Sequence, residues 1–138
     1  MAYTYAFEKL TAWQMARQFA KNLYFGTRHF PKEELFGITS QIRRATISIA
    51  CNLAEGSAGF TDREKSRFYV IAYGSAVEVV NLLIISSDLE FLDSEQYAAL
   101  RGEVEKLTFQ INRLVQSHGG PANMGDVHEP DMPYTPTE

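Results

Sequence analysis

The sequence predicts an all-α protein: an antiparallel up-down-up-down four-helix bundle with a disordered C-terminal tail. Three observations lead to this fold. Apolar residues recur at intervals of three and four in four segments, which is the spacing of amphipathic helices. Helix-capping patterns, glycines and prolines separate the segments. The connections between them are short, so consecutive helices are expected to run antiparallel.

The composition indicates a soluble chain from a reducing compartment. Apolar residues make up 45 % of the 138 residues and charged residues 22 %, as in ordinary globular domains. The single cysteine, Cys51, cannot form an internal disulfide. The N-terminus lacks the features of a signal peptide, and no uninterrupted apolar stretch is expected to span a bilayer. We therefore expect a cytoplasmic protein with no membrane partner.

The net charge of −4 is concentrated at the C-terminal end. Residues 118–138 contain four acidic residues, no Lys or Arg, and four of the five prolines. They are predicted to form an acidic, disordered tail, and residues 1–117 the bundle. Within the bundle, residues 1–67 carry ten basic and six acidic side chains, whereas residues 68–117 carry three and seven. A polyanionic partner would therefore meet the first half of the chain.

Glycine and proline are expected to bound the first two helices. The first spans about Phe7 to Gly26. Pro31 is expected to open the second, which spans about Lys32 to Glu55, and Gly56 to end it in a left-handed conformation.

The second helix has two apolar faces. A narrow stripe contains Ile38, Ile42, Ala45, Ile49 and Leu53. A second set contains Ile47, Ala50, Cys51 and Ala54. A helix packed only within its own bundle needs one apolar stripe. The second set therefore predicts a further partner, and another copy of the chain is the expected one.

The last two helices begin at capping patterns. The third, about Asp62 to Glu90, follows a capping box from Thr61 to Glu64. It repeats the two-faced pattern, with Phe68, Ala72, Val79 and Leu83 on one side and Tyr73, Val77, Val80 and Ile84 on the other. The fourth follows a similar pattern at Asp93 and has a single apolar seam. That seam contains Tyr97, Leu100, Val104, Leu107, Ile111 and Leu114.

The second and third helices carry a family resemblance. Its segments are Phe30-Pro31-Lys32-Glu33-Glu34-Leu35-Phe36-Gly37, Gln41-Ile42-Arg43-Arg44-Ala45, Ser48-Ile49-Ala50-Cys51-Asn52-Leu53-Ala54-Glu55-Gly56 and Ile71-Ala72-Tyr73-Gly74-Ser75. In this order they resemble the bacterial four-helix-bundle proteins encoded within intervening sequences of large-subunit ribosomal RNA genes. The similarity covers residues 7–117. The accessory protein of diversity-generating retroelements is similar in fold.

The resemblance implies a homo-oligomer, a pentamer of bundles around a central axis, without enzymatic activity. The retroelement accessory protein uses a basic pentameric barrel to hold a reverse transcriptase and its RNA. RNA or a nucleoprotein is therefore the candidate partner. Residues 41–45 and 52–56 would line bundle or subunit contacts. Ala58, Gly59 and Phe60 stand where the family often has a basic residue.

Five basic residues are candidate contacts with nucleic acid or another partner: Arg43, Arg44, Arg63, Lys65 and Arg67. Arginines among apolar neighbours are usually paired with carboxylates, for which Glu55 and Glu78 are the candidates. The alternative is a ring of phosphate contacts repeated around an oligomer axis. The other three basic residues adjoin Phe68 and Tyr69, a pattern that binds single strands. A solvated helix face is the plainer interpretation.

We predict no catalytic site, cofactor, metal or small-molecule substrate. Cys51 lies near the C-terminal end of its helix, where the dipole disfavours a thiolate, so it is expected to pack. The three histidines lack the spacing of bundle or zinc sites. The alternative function is a metal-independent ribonuclease, because Arg113 and His118 have the arginine-x4-histidine spacing of small helical ribonucleases of toxin–antitoxin systems. A third possibility is an oligomer that acts on an unidentified protein through its tail.

Overall fold

The computed structural model describes residues 2–120, and these form four α-helices. Their bounds are Thr11–Gly26 (α1), Ile38–Ser57 (α2), Asp62–Asp88 (α3) and Ser94–Ser117 (α4). Contacts join α1 to α2, α2 to α3, α3 to α4 and α4 to α1, while the diagonal pairs face each other across the core. The four-helix prediction is confirmed. Disorder was predicted for residues 118–138, and of these residues 121–138 lie outside the described part of the chain.

Two polar contacts give the register of α2 against α3. The hydroxyl oxygens of Ser48 and Ser75 lie 2.8 Å apart near the middle of both helices. At the end of α2, Lys65 Nζ donates to the carbonyl oxygen of Ser57 at 2.9 Å. Residue numbers fall along α2 as they rise along α3, so the two helices are antiparallel.

A single apolar core runs along the bundle axis. Its largest fully buried side chains include Phe19, Leu23, Ile42, Ile49, Leu53, Tyr69, Leu83, Leu107 and Ile111. The predicted inner stripe of α2 and the seam of α4 therefore face the core. Burial of one such aliphatic or aromatic side chain contributes about 1.5–3 kcal/mol. Burial also raises the pKa of the Tyr69 hydroxyl above its usual value.

The first helix begins later than predicted. Leu10 has an extended backbone, so the chain forms a 3₁₀ turn over Ala6–Lys9 and α1 starts at Thr11. Phe7 therefore lies outside α1, where its ring packs edge-on against Trp13 at 4.9 Å between centroids. The apolar spacing of Phe7 suggested one longer helix, but Phe7 contacts Trp13 across a break in the helical backbone.

The second helix also begins later than predicted, six residues after the expected start. Pro31 precedes only a 3₁₀ turn over Lys32–Glu34. Glu34 Oε1 then accepts a bond from the N–H of Ile38 at 3.4 Å, so this carboxylate caps α2. A Cβ on Gly37 would lie 2.7 Å from the same oxygen. The glycine thus leaves room for the capping carboxylate.

Gly56 does not end α2 in a left-handed conformation, and that prediction was wrong. It lies inside the helix and is buried. A Cβ at this position would be 2.5 Å from Cε1 and 2.8 Å from Cδ1 of Tyr69. The glycine is required because the ring of Tyr69, on α3, rests directly against the backbone of α2.

The left-handed glycine is instead Gly119, after α4, with a φ of 78°. Its N–H donates to Gln116 O at 3.1 Å, and the N–H of Gly120 donates to Val115 O at 2.9 Å. This is the Schellman arrangement, which satisfies the last carbonyls of a helix. Helix α4 ends at Ser117, which is where the bundle was predicted to end.

The two capping patterns occur in different forms. At α4, Asp93 Oδ1 accepts from the N–H of Gln96 at 2.7 Å, and Gln96 Oε1 accepts from the N–H of Asp93 at 3.0 Å. At α3, Thr61 Oγ1 accepts from the N–H of Glu64 at 3.1 Å. The Glu64 carboxylate accepts from Phe60 rather than from Thr61. The second reciprocal bond is therefore shifted by one residue.

The length and composition of α3 would allow it to cross a membrane. From the sequence we expected no such segment, and this expectation was wrong. A core helix of a globular bundle can have the same composition, so this feature does not place the chain in a membrane. However, only 33 % of its most apolar 18-residue stretch is buried within the bundle. The other residues of that stretch are partly or largely exposed.

The contact between Gly56 and Tyr69 predicts the effect of adding one methyl group. Gly56→Ala should lower the free energy of unfolding by about 1–3 kcal/mol, because the new Cβ overlaps the ring. Gly102→Ala is the matched control, since a Cβ there meets nothing within 4 Å. That change should raise stability by about 0.5–1 kcal/mol through helix propensity. Urea denaturation measures both, and equal effects would contradict the role given to Gly56.

Candidate partner-binding surface

The outward side of α3 carries several exposed apolar residues, interleaved with the exposed polar residues Glu78 and Asn81. Val70, Ile71, Val77 and Ile85 are between 38 and 47 % exposed. Gly74 lies among them, and a Cβ built there meets nothing within 4 Å. We call these five residues the α3 outer face. No contact within the described chain explains a glycine at this position, although glycine in a helix interior costs about 1 kcal/mol relative to alanine.

Part of the second apolar set of α2 also lies outside the core, although Ala50 packs against it. Ile47 is 42 % exposed, and Cys51 is exposed one helical turn later. Where α2 meets α3, Asn52 Nδ2 donates to the carbonyl oxygen of Ser48 at 2.9 Å. The prediction that α2 carries apolar surface beyond what its own bundle covers is confirmed for these two residues. Cys51 was expected to pack, but it is exposed in the described chain.

Arg43 and Arg44 have different environments. Arg43 Nε donates to Thr27 Oγ1 at 2.9 Å, and its Nη2 donates to Tyr24 O at 3.4 Å. Its Cζ also lies 4.6 Å from the centre of the Tyr24 ring, in a cation–π geometry. Arg44 is exposed. Arg43 therefore joins α2 to the end of α1, whereas Arg44 faces solvent.

The predicted pairing of these arginines with Glu55 or Glu78 was wrong. Within residues 2–120, Arg101 forms an ion pair with Glu105 and His118 Nδ1 contacts Asp62, and neither Arg43 nor Arg44 has such a carboxylate partner. Arg43 can do without a carboxylate because a hydroxyl, a carbonyl and an aromatic ring surround it. Arg44 can do without one because its guanidinium is solvated.

The other three candidate basic residues lie at the opposite end of α2. Lys65 donates to Ser57 O and so caps α2. Arg63 and Arg67 are exposed one helical turn apart, and the Arg67 Cζ lies 6.0 Å from the Phe68 ring centre. The second aromatic residue of the predicted stacking pattern, Tyr69, is buried. Arg44 and Ser57 are separated by about 20 Å along the helix. The five basic residues thus form two groups in one bundle.

Arg113 and His118 are not brought together. Arg113 lines a shallow depression with Leu10 and Leu114, on the side facing α1. His118 Nδ1 lies 2.8 Å from Asp62 Oδ1, and its ring centre is 5.6 Å from that of Tyr69, on the side facing α3. Five residues at 100° each place the two side chains about 140° apart around α4. One phosphate would not reach both.

An open depression lies between the end of α1 and the start of α2. Its volume is about 410 Å³. Its lining residues are Tyr24, Leu35, Phe36, Thr39, Ser40, Arg43 and Arg44. Phe36 is 94 % exposed. Sequence reasoning missed this site because it continued α2 back through Leu35 and Phe36, whereas the chain leaves the helix at Gly37. Gly37 could have indicated in the sequence that Leu35 and Phe36 lie outside α2.

The described residues contain no group of three or more His, Cys, Asp or Glu side chains placed to hold a metal ion.

A family model describing the 23S rRNA-intervening sequence protein matches residues 8–113 of the chain. The chain belongs to this family. The match covers all of α1, α2 and α3 and most of α4, which is the region where the resemblance was found. A search of curated proteins found no match. Family membership accounts for the helical fold of the body, and it leaves the function of the surfaces described above to be inferred.

The two adjacent arginines predict a contrast in stability. Arg43→Met should lower the free energy of unfolding by about 1–3 kcal/mol, because Thr27 and Tyr24 lose charged hydrogen-bond donors. Arg44→Met should change it by less than about 0.5 kcal/mol, as expected for an exposed side chain. Chemical denaturation of both variants checks this. A larger loss for Arg44→Met than for Arg43→Met would contradict the assignment.

Proposed function

We propose that the chain is a non-enzymatic homo-oligomeric scaffold, a pentamer of helical bundles, that docks RNA or a nucleoprotein partner. The α3 outer face is the observation that supports it most directly. Four of its side chains remain between 38 and 47 % exposed, although each is strongly apolar. Soluble monomers rarely expose contiguous apolar patches larger than a few hundred Å². Burial of such surface against another copy releases about 25 cal/mol per Å².

A second copy is favoured as the occupant of this face. Gly74 gives α3 a position without a side chain, at which a neighbouring helix could approach its backbone closely. The half-exposed Ile47 and exposed Cys51 add apolar surface on the neighbouring helix, α2. The family resemblance supports five copies around an axis.

Nucleic-acid docking is supported by the exposed arginines. Arg44, Arg63 and Arg67 carry no carboxylate partner within ion-pair distance in the described chain. In one bundle they are too few and too dispersed to track a nucleic-acid backbone. Repetition around an oligomer would multiply them into a basic ring, and phosphate contacts of this kind give affinity without sequence preference. The ribonuclease alternative has no comparable support, because Arg113 and His118 face different helices.

The oligomer is tested at the centre of the α3 outer face. Val77→Asp places a charge in the proposed interface, so light scattering should show a shift from a multiple of 15.6 kDa toward the single-chain mass. Phe25→Asp is the control, because Phe25 on α1 is equally exposed, at 47 %, but lies outside this face. A wild-type chain that is monomeric at micromolar concentration would refute the scaffold.

Nucleic-acid docking is tested with a fluorescently labelled single-stranded RNA. The double variant Arg44→Glu/Arg67→Glu should weaken binding in anisotropy titrations. It should also reduce the slope of log K against log salt by about 0.7 for each phosphate that the protein no longer neutralises. Arg113→Glu serves as the control at an exposed arginine outside the proposed sites. An unchanged slope in the double variant would remove nucleic acid from the proposal while leaving the oligomer in place.

A further inference from the structure

We propose that the acidic C-terminal segment, residues 121–138, docks into the depression between α1 and α2 and covers Arg44 and Phe36. This docking goes beyond the proposed scaffold and does not rest on it. It concerns a site within each copy and requires no second bundle.

The charge of the depression favours an acidic occupant. Arg43 is held in its wall by Thr27 and Tyr24, and Arg44 stands free at its rim. Neither Arg43 nor Arg44 has a carboxylate within ion-pair distance inside the described chain, so the depression offers two unpaired guanidinium charges.

The exposed apolar lining of the depression favours an occupant that also carries proline. Phe36 is 94 % exposed and Leu35 51 %, and Tyr24 is 38 % exposed beside them. Aromatic surfaces of this kind take up proline-containing segments, whose conformational entropy is already low. An acidic segment with proline and apolar residues would use both features of the site.

The C-terminal segment has the matching composition. It contains four acidic residues and no Lys or Arg: Asp126, Glu129, Asp131 and Glu138. Three prolines and a tyrosine are interleaved with them: Pro130, Pro133, Tyr134 and Pro136. The first 120 residues are neutral overall, with 13 basic residues and the other 13 of the 17 acidic ones. The attraction is therefore local, between this segment and exposed arginines.

The segment is long enough to reach the depression. It leaves α4 at the end of the bundle where His118 contacts Asp62 and where α2 ends. The depression lies at the other end of α2, about 30 Å away for a helix of 20 residues. Eighteen residues at about 3.1 Å each span roughly 56 Å. The same chain can thus supply its own occupant.

The experiment places a spin label near the end of the full-length chain. Cys51→Ser removes the native thiol, and Thr137→Cys carries the nitroxide. Relaxation enhancement is then read on leucine methyl groups. Leu35 reports on the depression, and Leu10 and Leu114 report on the second depression, beside Arg113, at the opposite end of the bundle.

Docking should enhance relaxation at Leu35 and leave Leu10 and Leu114 nearly unchanged. Arg44→Glu should lower the enhancement at Leu35 about fivefold, the worth of one exposed ion pair. Arg113→Glu, the matched control, should leave it unchanged. Asp126→Asn/Glu129→Gln/Asp131→Asn should lower it as well, since these substitutions remove the segment's charge.

Equal enhancement at Leu35 and Leu10 would overturn the proposal, as would an enhancement at Leu35 that Arg44→Glu leaves intact. A further measurement adds single-stranded poly(U) to the unlabelled chain. If this RNA perturbs Leu35 while the spin label produces no enhancement there, the depression is a nucleic-acid site and the proposed occupant is wrong. Neither readout depends on the mass of the oligomer, so failure of the scaffold would be recognised separately.

Discussion

The contact between Gly56 and the ring of Tyr69 is the constraint on which the rest of the bundle depends. It presses α3 against the backbone of α2, and the hydroxyls of Ser48 and Ser75 hold the same pair near their middles. Because α2 and α3 already use their inner faces for each other and for the core, their remaining apolar residues have no place inside. The outer faces of the two helices follow from this close packing.

The same contact reaches the end of α4. The ring of Tyr69 lies 5.6 Å from that of His118, whose Nδ1 is 2.8 Å from Asp62 at the start of α3. One buried aromatic side chain therefore touches α2 and the residue that follows α4. The predicted boundary between the bundle and the tail, which assigned His118 to the tail, therefore falls within this set of contacts. Residues 118–120 contact the bundle: His118 contacts Asp62, and the N–H of Gly120 donates to the carbonyl oxygen of Val115.

Several of the basic residues have structural roles. Arg43 fastens α2 to α1 through Thr27, and Lys65 caps α2 through Ser57. Each stabilises a helix end or a helix contact, and neither is available in full to a ligand. Of the five candidate basic residues, the exposed ones are Arg44, Arg63 and Arg67.

The sequence was sufficient to predict the four helices, because periodic apolar residues report directly on which face is buried. The seam of α4, from Leu100 to Ile111, and the inner stripe of α2 were both predictable in this way. The start of α2 was not, because the capping role of Glu34 depends on a side-chain conformation. The role of Gly56 was not either, since it depends on how the ring of Tyr69, on the next helix, packs against α2. The depression around Phe36 exists because α2 starts at Ile38 rather than at Lys32, so it could not be predicted until the start of α2 was known.

The contact at Gly56 also limits which substitutions this chain can accept during evolution. A methyl group at position 56 has no space while a six-membered ring occupies the far side of the contact. A smaller side chain at position 69 would open that space but leave a void in the core if position 56 stayed glycine. We therefore expect positions 56 and 69 to change together. In related chains that keep the close contact between α2 and α3, a substitution at one position should accompany a substitution at the other.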